Sequence, residues 1–259
     1  MKLTIHTELE YQFPAATDIL LQLEAAIIPE QYVEHAHIAL PTTTEHFARL
    51  PGHDQIGDRI WLRLQGKLKV VYDGTVDVNR LGADVAQLAA VPPHQLPAET
   101  IQYMLPSRYC PSDQFSNIVE SEFAGLEGGA RVAAIRDWIG QRIAYAPGSS
   151  ISSTGAMDTF ISRQGVCRDF AHLMLAMVRA STIPARFASV YGIGVQPQDF
   201  HAVPEVFLDG AWYMVDATGM STSEKMAKIG VGRDAADVSF LTSYGTALLV
   251  NQSVEVSAA

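Results

Sequence analysis

The hydrophobic pattern of this chain of 259 residues changes at a cluster of three prolines within residues 91–97. Proline lacks a backbone N–H and fixes φ, so such a cluster interrupts both helices and central strands. Before it, residues 3–13 alternate apolar and polar side chains, which is the period of a half-buried strand. After it, apolar residues first recur at helical spacing. We therefore predict an α+β protein with an N-terminal antiparallel β-domain over residues 1–95 and a second domain over residues 96–259.

The first domain is predicted to contain many short strands. Proline and glycine punctuate its apolar stretches, and both residues favour turns over continued strands. The expected breaks include Pro14, Gly66 and Asp73-Gly74. The predicted strands cover residues 2–13, 19–27, 32–40, 58–65, 67–72 and 75–80. Short strands with regular turn signals are typical of a small antiparallel β-domain.

The second domain is predicted to combine helices with antiparallel strands. Helices are expected over residues 99–105 and 129–143 and from about residue 165 to residue 180, with a surface loop over residues 145–159. Strands are expected over residues 186–191, 200–208 and 211–217, and in a final pair within residues 240–256. The dipeptide Asp209-Gly210 joins two of these strands and is a strong signal for a two-residue hairpin turn.

Charge and composition exclude several classes of protein. The formal net charge of −10 argues against nucleic acid or an anionic membrane surface as the main partner, because both require a basic face. The N-terminus has no apolar signal region, and no apolar run has the length of a membrane span. We expect a soluble, cytoplasmic protein whose two cysteines, Cys110 and Cys167, are both reduced.

Cys167 is the candidate nucleophile. The helix that follows Gly165 has an apolar stripe at helical spacing, formed by Phe170, Leu173, Met174, Met177 and Val178. Cys167 lies three residues before this stripe begins, which places it on the inward face of the first helical turn. Unpartnered N–H groups and the helix dipole favour a thiolate there, and the backbone N–H of Cys167 could stabilise an oxyanion. The alternative is a small buried hydrophobic residue.

The Asp209-Gly210 hairpin selects a base for this thiol. A two-residue turn pairs Leu208 with Ala211, and it makes His201 and Asp216 diagonal neighbours on one face of the hairpin. A carboxylate that binds one imidazole nitrogen leaves the other nitrogen free to act as a base. Alternatively, His201 makes an ordinary hydrogen bond and Asp216 belongs to the turn that follows the strand.

Other polar residues near Cys167 receive structural interpretations. His172 is the main rival base, but it points about a third of the way round the helix from the thiol and is interpreted as a core histidine. Asp169 is expected to favour the helix dipole or to cap the loop that enters the helix. Arg168 is expected to point to solvent, and Cys110 is interpreted as structural or incidental.

Four segments resemble the bacterial transglutaminase-like superfamily, whose members are often described as cysteine proteases. They are residues 165–172 (GVCRDFAH), 183–186 (IPAR), 200–202 (FHA) and 215–218 (VDAT). The resemblance implies a papain-like core, in which a cysteine-bearing helix packs on an antiparallel sheet, with Cys167, His201 and Asp216 as the catalytic residues.

The chain departs from the family pattern at two positions. Val203 stands where the family commonly has an aromatic residue, and Ala217 stands where it commonly has proline. Neither replaces a reactive group, although Val203-Pro204 could alter the sheet edge and the substrate groove. The family often supplies a second oxyanion donor from an upstream side chain, and Tyr145 and Trp138 are the candidates in this chain.

The predicted reaction is cysteine-dependent acyl transfer on an amide or peptide bond through a thioester. The resemblance favours hydrolysis, and the expected partner is a peptide or protein substrate. The alternatives are transfer to an amine, as in a transglutaminase, and a non-catalytic protein-binding module on the same fold. Cysteine, histidine and aspartate are also possible zinc ligands, but a fourth ligand at short spacing is lacking, so we expect no metal and no cofactor.

Overall fold

The computed structural model of the protein describes residues 1–42, 46–80 and 82–259, which form two main antiparallel sheets. The first sheet contains β1 (Lys2–Leu21), β2 (Gln31–Ala39), β3 (His46–Pro51), β4 (Asp58–Val78), β11 (Leu241–Ser243) and β12 (Leu248–Ala258). The pairing order is β11-β1-β4-β2, while β12 also pairs with β1 and β3 also pairs with β4.

The two longest strands, β1 and β4, run without the breaks that proline and glycine predicted. Their antiparallel pairing shifts register between Phe13 and Thr17, and Gly66 lies opposite Phe13 with a φ of 94°. A bulge absorbs the unpaired residues, so Pro14 needs no hydrogen-bonding N–H. The predicted ends of strands at Pro14 and Gly66 are therefore wrong, because each residue marks a bend within a continuous strand.

The last two strands lie in the first sheet. Glu10 pairs with Asn251 of β12, and Leu21 pairs with Leu241 of β11. A final pair of strands was predicted in this part of the chain, but the division at residue 95 assigned it to the second domain. The pairing places residues 241–258 against β1 instead, because β1 would otherwise present an open edge. The position of the boundary itself stays a prediction.

The second sheet forms the centre of the core. Its strands are β7 (Ala185–Gly192), β8 (His201–Leu208), β9 (Ala211–Met214) and β10 (Met226–Gly232), in the order β10-β7-β8-β9. The helices are α1 (Ser116–Glu122), α2 (Gly128–Arg142), α3 (Ala156–Ser162) and α4 (Cys167–Ala180), and β5 (Ala144–Tyr145) pairs with β6 (Gln164–Gly165). The predicted helix over residues 99–105 is a 3₁₀ helix, Ala98–Met104, and α3 begins inside the predicted loop.

Helix α4 packs on this sheet. Its residues from Asp169 to Arg179 are all buried, and Leu173 and Met177 belong to one hydrophobic cluster with Ala202 and Val206 of β8. Burial of an apolar helix face against a sheet is the main source of stability for such a helix. The arrangement confirms the predicted α+β fold, with a cysteine-bearing helix on an antiparallel sheet.

The β8–β9 hairpin has the predicted register. Leu208 pairs with Ala211 and Phe207 with Trp212, and both turn residues have positive φ, 46° at Asp209 and 79° at Gly210. Positive φ at both central positions defines the turn type that suits the twist of paired strands.

Within the described residues, none of the helices has the length and apolar character needed to span a membrane.

Candidate active site

Cys167 is the first residue of α4, directly after the N-cap residue Val166. Asp169 caps this helix end as predicted: its Oδ2 accepts a hydrogen bond of 2.9 Å from the Val166 N–H. Its Oδ1 accepts a hydrogen bond of 2.9 Å from the Ser150 hydroxyl, and Asp169 is fully buried. One carboxylate therefore fixes both the start of the helix and the loop beside the thiol.

Arg168 binds this same loop, so the expectation that it points to solvent was wrong. Its Nη2 donates hydrogen bonds of 2.6 Å to the Ser150 hydroxyl and 2.6 Å to the Ile151 carbonyl. The loop folds back over the start of α4 and brings acceptors to the guanidinium. The helical position of Arg168 alone does not predict this contact, because the contact depends on the path of a segment eighteen residues upstream.

His201 and Asp216 form a buried pair. Nε2 of His201 lies 2.9 Å from Oδ2 of Asp216, and the two side chains are 0% and 4% exposed. Asp216 is held from its other side, because Oδ1 accepts hydrogen bonds from the N–H and hydroxyl of Thr218 and Oδ2 accepts one from the Ser221 N–H. The carboxylate is thereby fixed in position before it orients the imidazole ring.

The environment of the pair favours a charged imidazole beside a charged carboxylate. Burial lowers the pKa of His201, but the interactions with Asp216 and with the nearby Cys167 outweigh this effect and raise the pKa to about 9. Burial raises the pKa of Asp216, and the interactions with His201 and Thr218 outweigh it and bring this pKa below its usual value.

The second nitrogen of His201 faces the thiol. Nδ1 is buried and makes no hydrogen bond to the described residues. Cys167 is one of the groups that raise the pKa of the ring. The thiol Sγ lies 3.8 Å from the Phe200 carbonyl oxygen, one residue before His201. The structure thus brings together the three residues named from the sequence; that they are catalytic stays a prediction.

Tyr145 lies beside Cys167, whereas Trp138 is engaged elsewhere. Tyr145 pairs with Gly165 across β5 and β6, which brings its hydroxyl to the thiol and backbone N–H of Cys167. Burial, followed by the charge of Cys167, raises the pKa of Tyr145 to about 12, so the phenol keeps its proton. The indole of Trp138 donates a hydrogen bond of 3.0 Å to Glu122. Of the two candidate oxyanion donors, Tyr145 is the one at the thiol.

A cleft of about 370 Å³ opens over the thiol and the imidazole. Aromatic side chains line much of it, namely Tyr109, Phe187, Phe200 and Phe240, and hydroxyl groups come from Ser150, Ser152, Ser189 and Ser239. Two charged residues, Arg168 and Asp199, also line the cleft. A largely apolar cleft with a few polar groups is typical of a site that binds part of an organic substrate.

The rival residues lie in the core. His172 is fully buried, its Nε2 accepts a hydrogen bond of 3.2 Å from the Ala235 N–H, and its ring stacks on Tyr109 at 4.9 Å. Burial holds the pKa of His172 well below its usual value, so the ring is neutral. Cys110 is also fully buried, and burial raises the pKa of its thiol to about 12. Among the described residues, no cluster of three or more His, Cys, Asp or Glu could hold a metal ion.

Comparisons with known proteins identify the class to which this fold and cleft belong. A family model described as the transglutaminase-like superfamily matches residues 118–217. The crystal structure named "Putative Cysteine Protease from Cytophaga hutchinsonii" is 32% identical and has a TM-score of 0.92, with 99% of this chain and 90% of that chain covered. The chain belongs to the transglutaminase-like superfamily, for which these comparisons support cysteine-based catalysis at the family level.

Two curated relatives match a shorter region. An uncharacterized protein of Mycobacterium leprae is 33% identical over 118 residues, which are 42% of this chain and 42% of that protein. An uncharacterized protein of Mycobacterium tuberculosis is 32% identical over 111 residues, which are 36% of this chain and 35% of that protein. The matched region spans less than half the length of either relative.

Proposed function

We propose that the protein is a cysteine peptidase or amidase in which Cys167, His201 and Asp216 act as a catalytic triad. One observation carries the proposal: His201 uses Nε2 to bind Asp216 and presents an unpartnered Nδ1 towards the Cys167 thiol. Nδ1 of the core histidine His172 is also buried without a partner, so the feature that sets His201 apart is the thiol beside its open nitrogen. A nitrogen left open beside a thiol is the arrangement that proton transfer requires.

The proposed reaction proceeds through a thioester. His201 Nδ1 takes the proton of the Cys167 thiol, and the sulfur forms a bond to the carbonyl carbon of the substrate. The carbonyl oxygen becomes an oxyanion. When it collapses, the carbon–nitrogen bond breaks and the departing amine takes the proton from His201. Water then gives a proton to Nδ1, attacks the thioester and releases a carboxylic acid and the thiol.

Two donors would stabilise the oxyanion. The backbone N–H of Cys167 lies in the first turn of α4, where it has no intrahelical acceptor. The hydroxyl of Tyr145 lies beside it and stays protonated because its pKa is about 12. Donors held in place before the reaction stabilise the developing charge without reorganisation.

Water is the proposed acceptor of the acyl group. The support is the likeness to the Cytophaga hutchinsonii protein, whose crystal structure bears the name "Putative Cysteine Protease" and which matches nearly the whole chain. Transfer to an amine is the second candidate, because it uses the same thioester and differs only in the group that attacks it. A non-catalytic binding module is disfavoured by the proximity of the thiol, the imidazole and the carboxylate.

The test combines thiol labelling with a peptide library. Iodoacetamide at neutral pH should label Cys167, and mass spectrometry should detect an acyl-enzyme on this residue after incubation with the library. Cys167→Ala should abolish turnover and labelling at this site, while the matched variant Cys110→Ala should retain both. An unreactive Cys167 in the folded protein, or turnover unchanged by Cys167→Ala, would contradict the proposal. Adding a primary amine to the reaction separates hydrolysis from transfer by product mass.

A further inference from the structure

Asp199 places a carboxylate in the cleft, two residues before His201. Its Oδ1 accepts hydrogen bonds of 2.7 Å from the Phe200 N–H and 2.6 Å from the Gln252 side chain. Among the described residues, no hydrogen bond reaches Oδ2. Gln252 belongs to β12, so a strand of the first sheet holds this carboxylate in place and leaves one oxygen open to a ligand.

Asp199 differs from three other carboxylates near the core sheet: Glu205 and Asp216 have cationic partners, and the buried Asp234 accepts backbone hydrogen bonds at both of its oxygens. Glu205 lies 2.8 Å from Arg186 and 2.6 Å from Lys228, and Asp216 lies 2.9 Å from His201. Asp199 has no basic group within 4.0 Å among the described residues. Burial raises the pKa of Asp199, and the hydrogen bonds from Phe200 and Gln252 offset only part of this effect. A carboxylate that is partly removed from water without a counter-charge is one that a cation would stabilise.

This carboxylate lies close to the reacting groups. The carbonyl of Phe200, the next residue, is 3.8 Å from the Cys167 sulfur. The charge of Asp199 also acts on Tyr145, the residue whose hydroxyl lies at Cys167. A substrate group bound at Oδ2 would therefore belong to a residue near the scissile bond.

The carboxylate of Asp199 is the charge in the cleft that lacks an ionic partner among the described residues, and an apolar surface adjoins it. The charge of Arg168 is partly balanced within the protein, because its Nη2 lies 3.4 Å from the Asp169 carboxylate and also donates to Ser150 and Ile151. The rings of Phe200 and Phe240 stack at 4.6 Å with an interplanar angle of 9°. Such rings can pack against the methylene groups of a long basic side chain, whose charged end then reaches the carboxylate.

We propose that Asp199 selects substrates that carry a cationic nitrogen beside the scissile bond, with an ammonium or guanidinium group donating to Oδ2. The inference rests on the proposed function and names its substrate class. The cation has two possible sources: a basic side chain or free N-terminus on the acylated peptide, or a separate acceptor amine. Gln252 is a positioning residue in this scheme, because it acts through Asp199.

The first test compares peptides that differ only in a lysine or a norleucine next to the scissile bond. The wild-type kcat/KM should favour lysine by about tenfold to a hundredfold, as expected for a charge-assisted hydrogen bond. Asp199→Asn keeps an oxygen acceptor for Phe200 and Gln252 but removes the charge, so the ratio should fall towards one. Glu255→Gln removes the same charge from an exposed position of β12 and should leave the ratio unchanged. A wild-type ratio near one for donor peptides and for acceptor amines would overturn the proposal.

An acceptor arm distinguishes the two sources of the cation. With a neutral donor peptide, a primary amine is added and the ratio of amide product to hydrolysis product is measured. A ratio that falls in Asp199→Asn while the lysine preference among donors is absent assigns the site to the acceptor. A lysine preference among donors, with an unaffected product ratio, assigns it to the acylated peptide.

A second test needs no turnover. Cationic and anionic methanethiosulfonates of similar size react with the Cys167 thiolate, which forms a mixed disulfide and releases methanesulfinate. The rate ratio of cationic to anionic reagent should fall several-fold in Asp199→Asn and stay unchanged in Glu255→Gln. If this ratio responds but no peptide is turned over, the proposed function fails while the cation site stands. If peptides are turned over and neither ratio depends on Asp199, the cation site is wrong.

Discussion

Strand β8 carries two buried ionic groups on the same face, and they differ in one respect. His201 at its start pairs with Asp216, and Glu205, four residues later, pairs with Arg186 and Lys228. Every charge in the second group has an opposite charge at hydrogen-bond distance. In the first group, one nitrogen of His201 is left open beside a thiol. The comparison teaches that burial of charge does not by itself mark a reactive site, whereas an open nitrogen beside a nucleophile does.

The Glu205 group has the character of a structural network. Burial raises the pKa of Glu205, but Lys228 and Arg186 outweigh it and bring the pKa to about 2. Arg186 also lies 2.8 Å from Asp54 and 4.2 Å from the centre of the Trp212 ring. The network thereby connects β7, β8 and β10 with the segment between β3 and β4, and its carboxylate has no free acceptor role to offer a substrate.

The largest expected effect is on the reaction rate, and it concerns His201 at the start of β8. His201→Ala should lower kcat by about 10⁴-fold, because the thiol loses its base and the departing amine loses its proton donor. Circular dichroism at the assay temperature checks that the variant is folded. A loss of less than tenfold in the folded variant would remove the proposed distinction between the two groups.

For the Glu205 group, the expected effect is on the free energy of unfolding. Glu205→Gln leaves Arg186 and Lys228 buried without their carboxylate, which should lower the free energy of unfolding by about 3–5 kcal/mol. Urea unfolding followed by fluorescence measures it. The exposed change Glu255→Gln serves as the control and should stay within about 0.5 kcal/mol. Equal stability of the two variants would mean that the network contributes nothing to the fold.

The two groups should also differ in how they make the free energy of unfolding depend on pH. The pKa of His201 is about 9 when folded, above its ordinary value of 6.5, so the folded state binds more protons between these values. The resulting stabilisation, about 3 kcal/mol, is complete below pH 6.5 and is lost as the pH rises through about 9. Urea midpoints across this range should fall for the wild type relative to His201→Ala. Glu205 stays ionised throughout, so a parallel decline in both proteins would count against the assignment.

The smallest of these effects concerns the oxyanion donor. Tyr145→Phe should lower kcat by about a hundredfold, because one of two donors is lost while the thiol and its base remain. Alkylation of Cys167 by iodoacetamide should continue at a rate close to that of the wild type. An unchanged kcat would leave the backbone N–H of Cys167 as the main donor at this site.

The sequence predicted the site where local rules decide the geometry. The helix that begins at Cys167 follows from its apolar stripe, and the Asp209-Gly210 turn sets the register that aligns His201 with Asp216. Both features depend on spacing within fifteen residues, which a single sequence displays. The capping role of Asp169 belongs to the same category.

Features that depend on distant partners could not be predicted. The pairing of β12 with β1 joins residues about 250 positions apart, and nothing in either strand specifies the other. The cleft carboxylate was missed for a related reason: Asp199 lies in a connection whose position depends on Gln252. The signal that could have drawn attention to it is an acidic residue two positions before the candidate base.

The attachment of Asp199 to β12 also sets an order of events during synthesis. Cys167 and His201 are translated before Gln252. The cleft gains its anchored carboxylate only when β12 has been translated and has paired with β1. A nascent chain therefore contains its thiol and its base before it contains the strand that anchors the proposed cation-binding carboxylate.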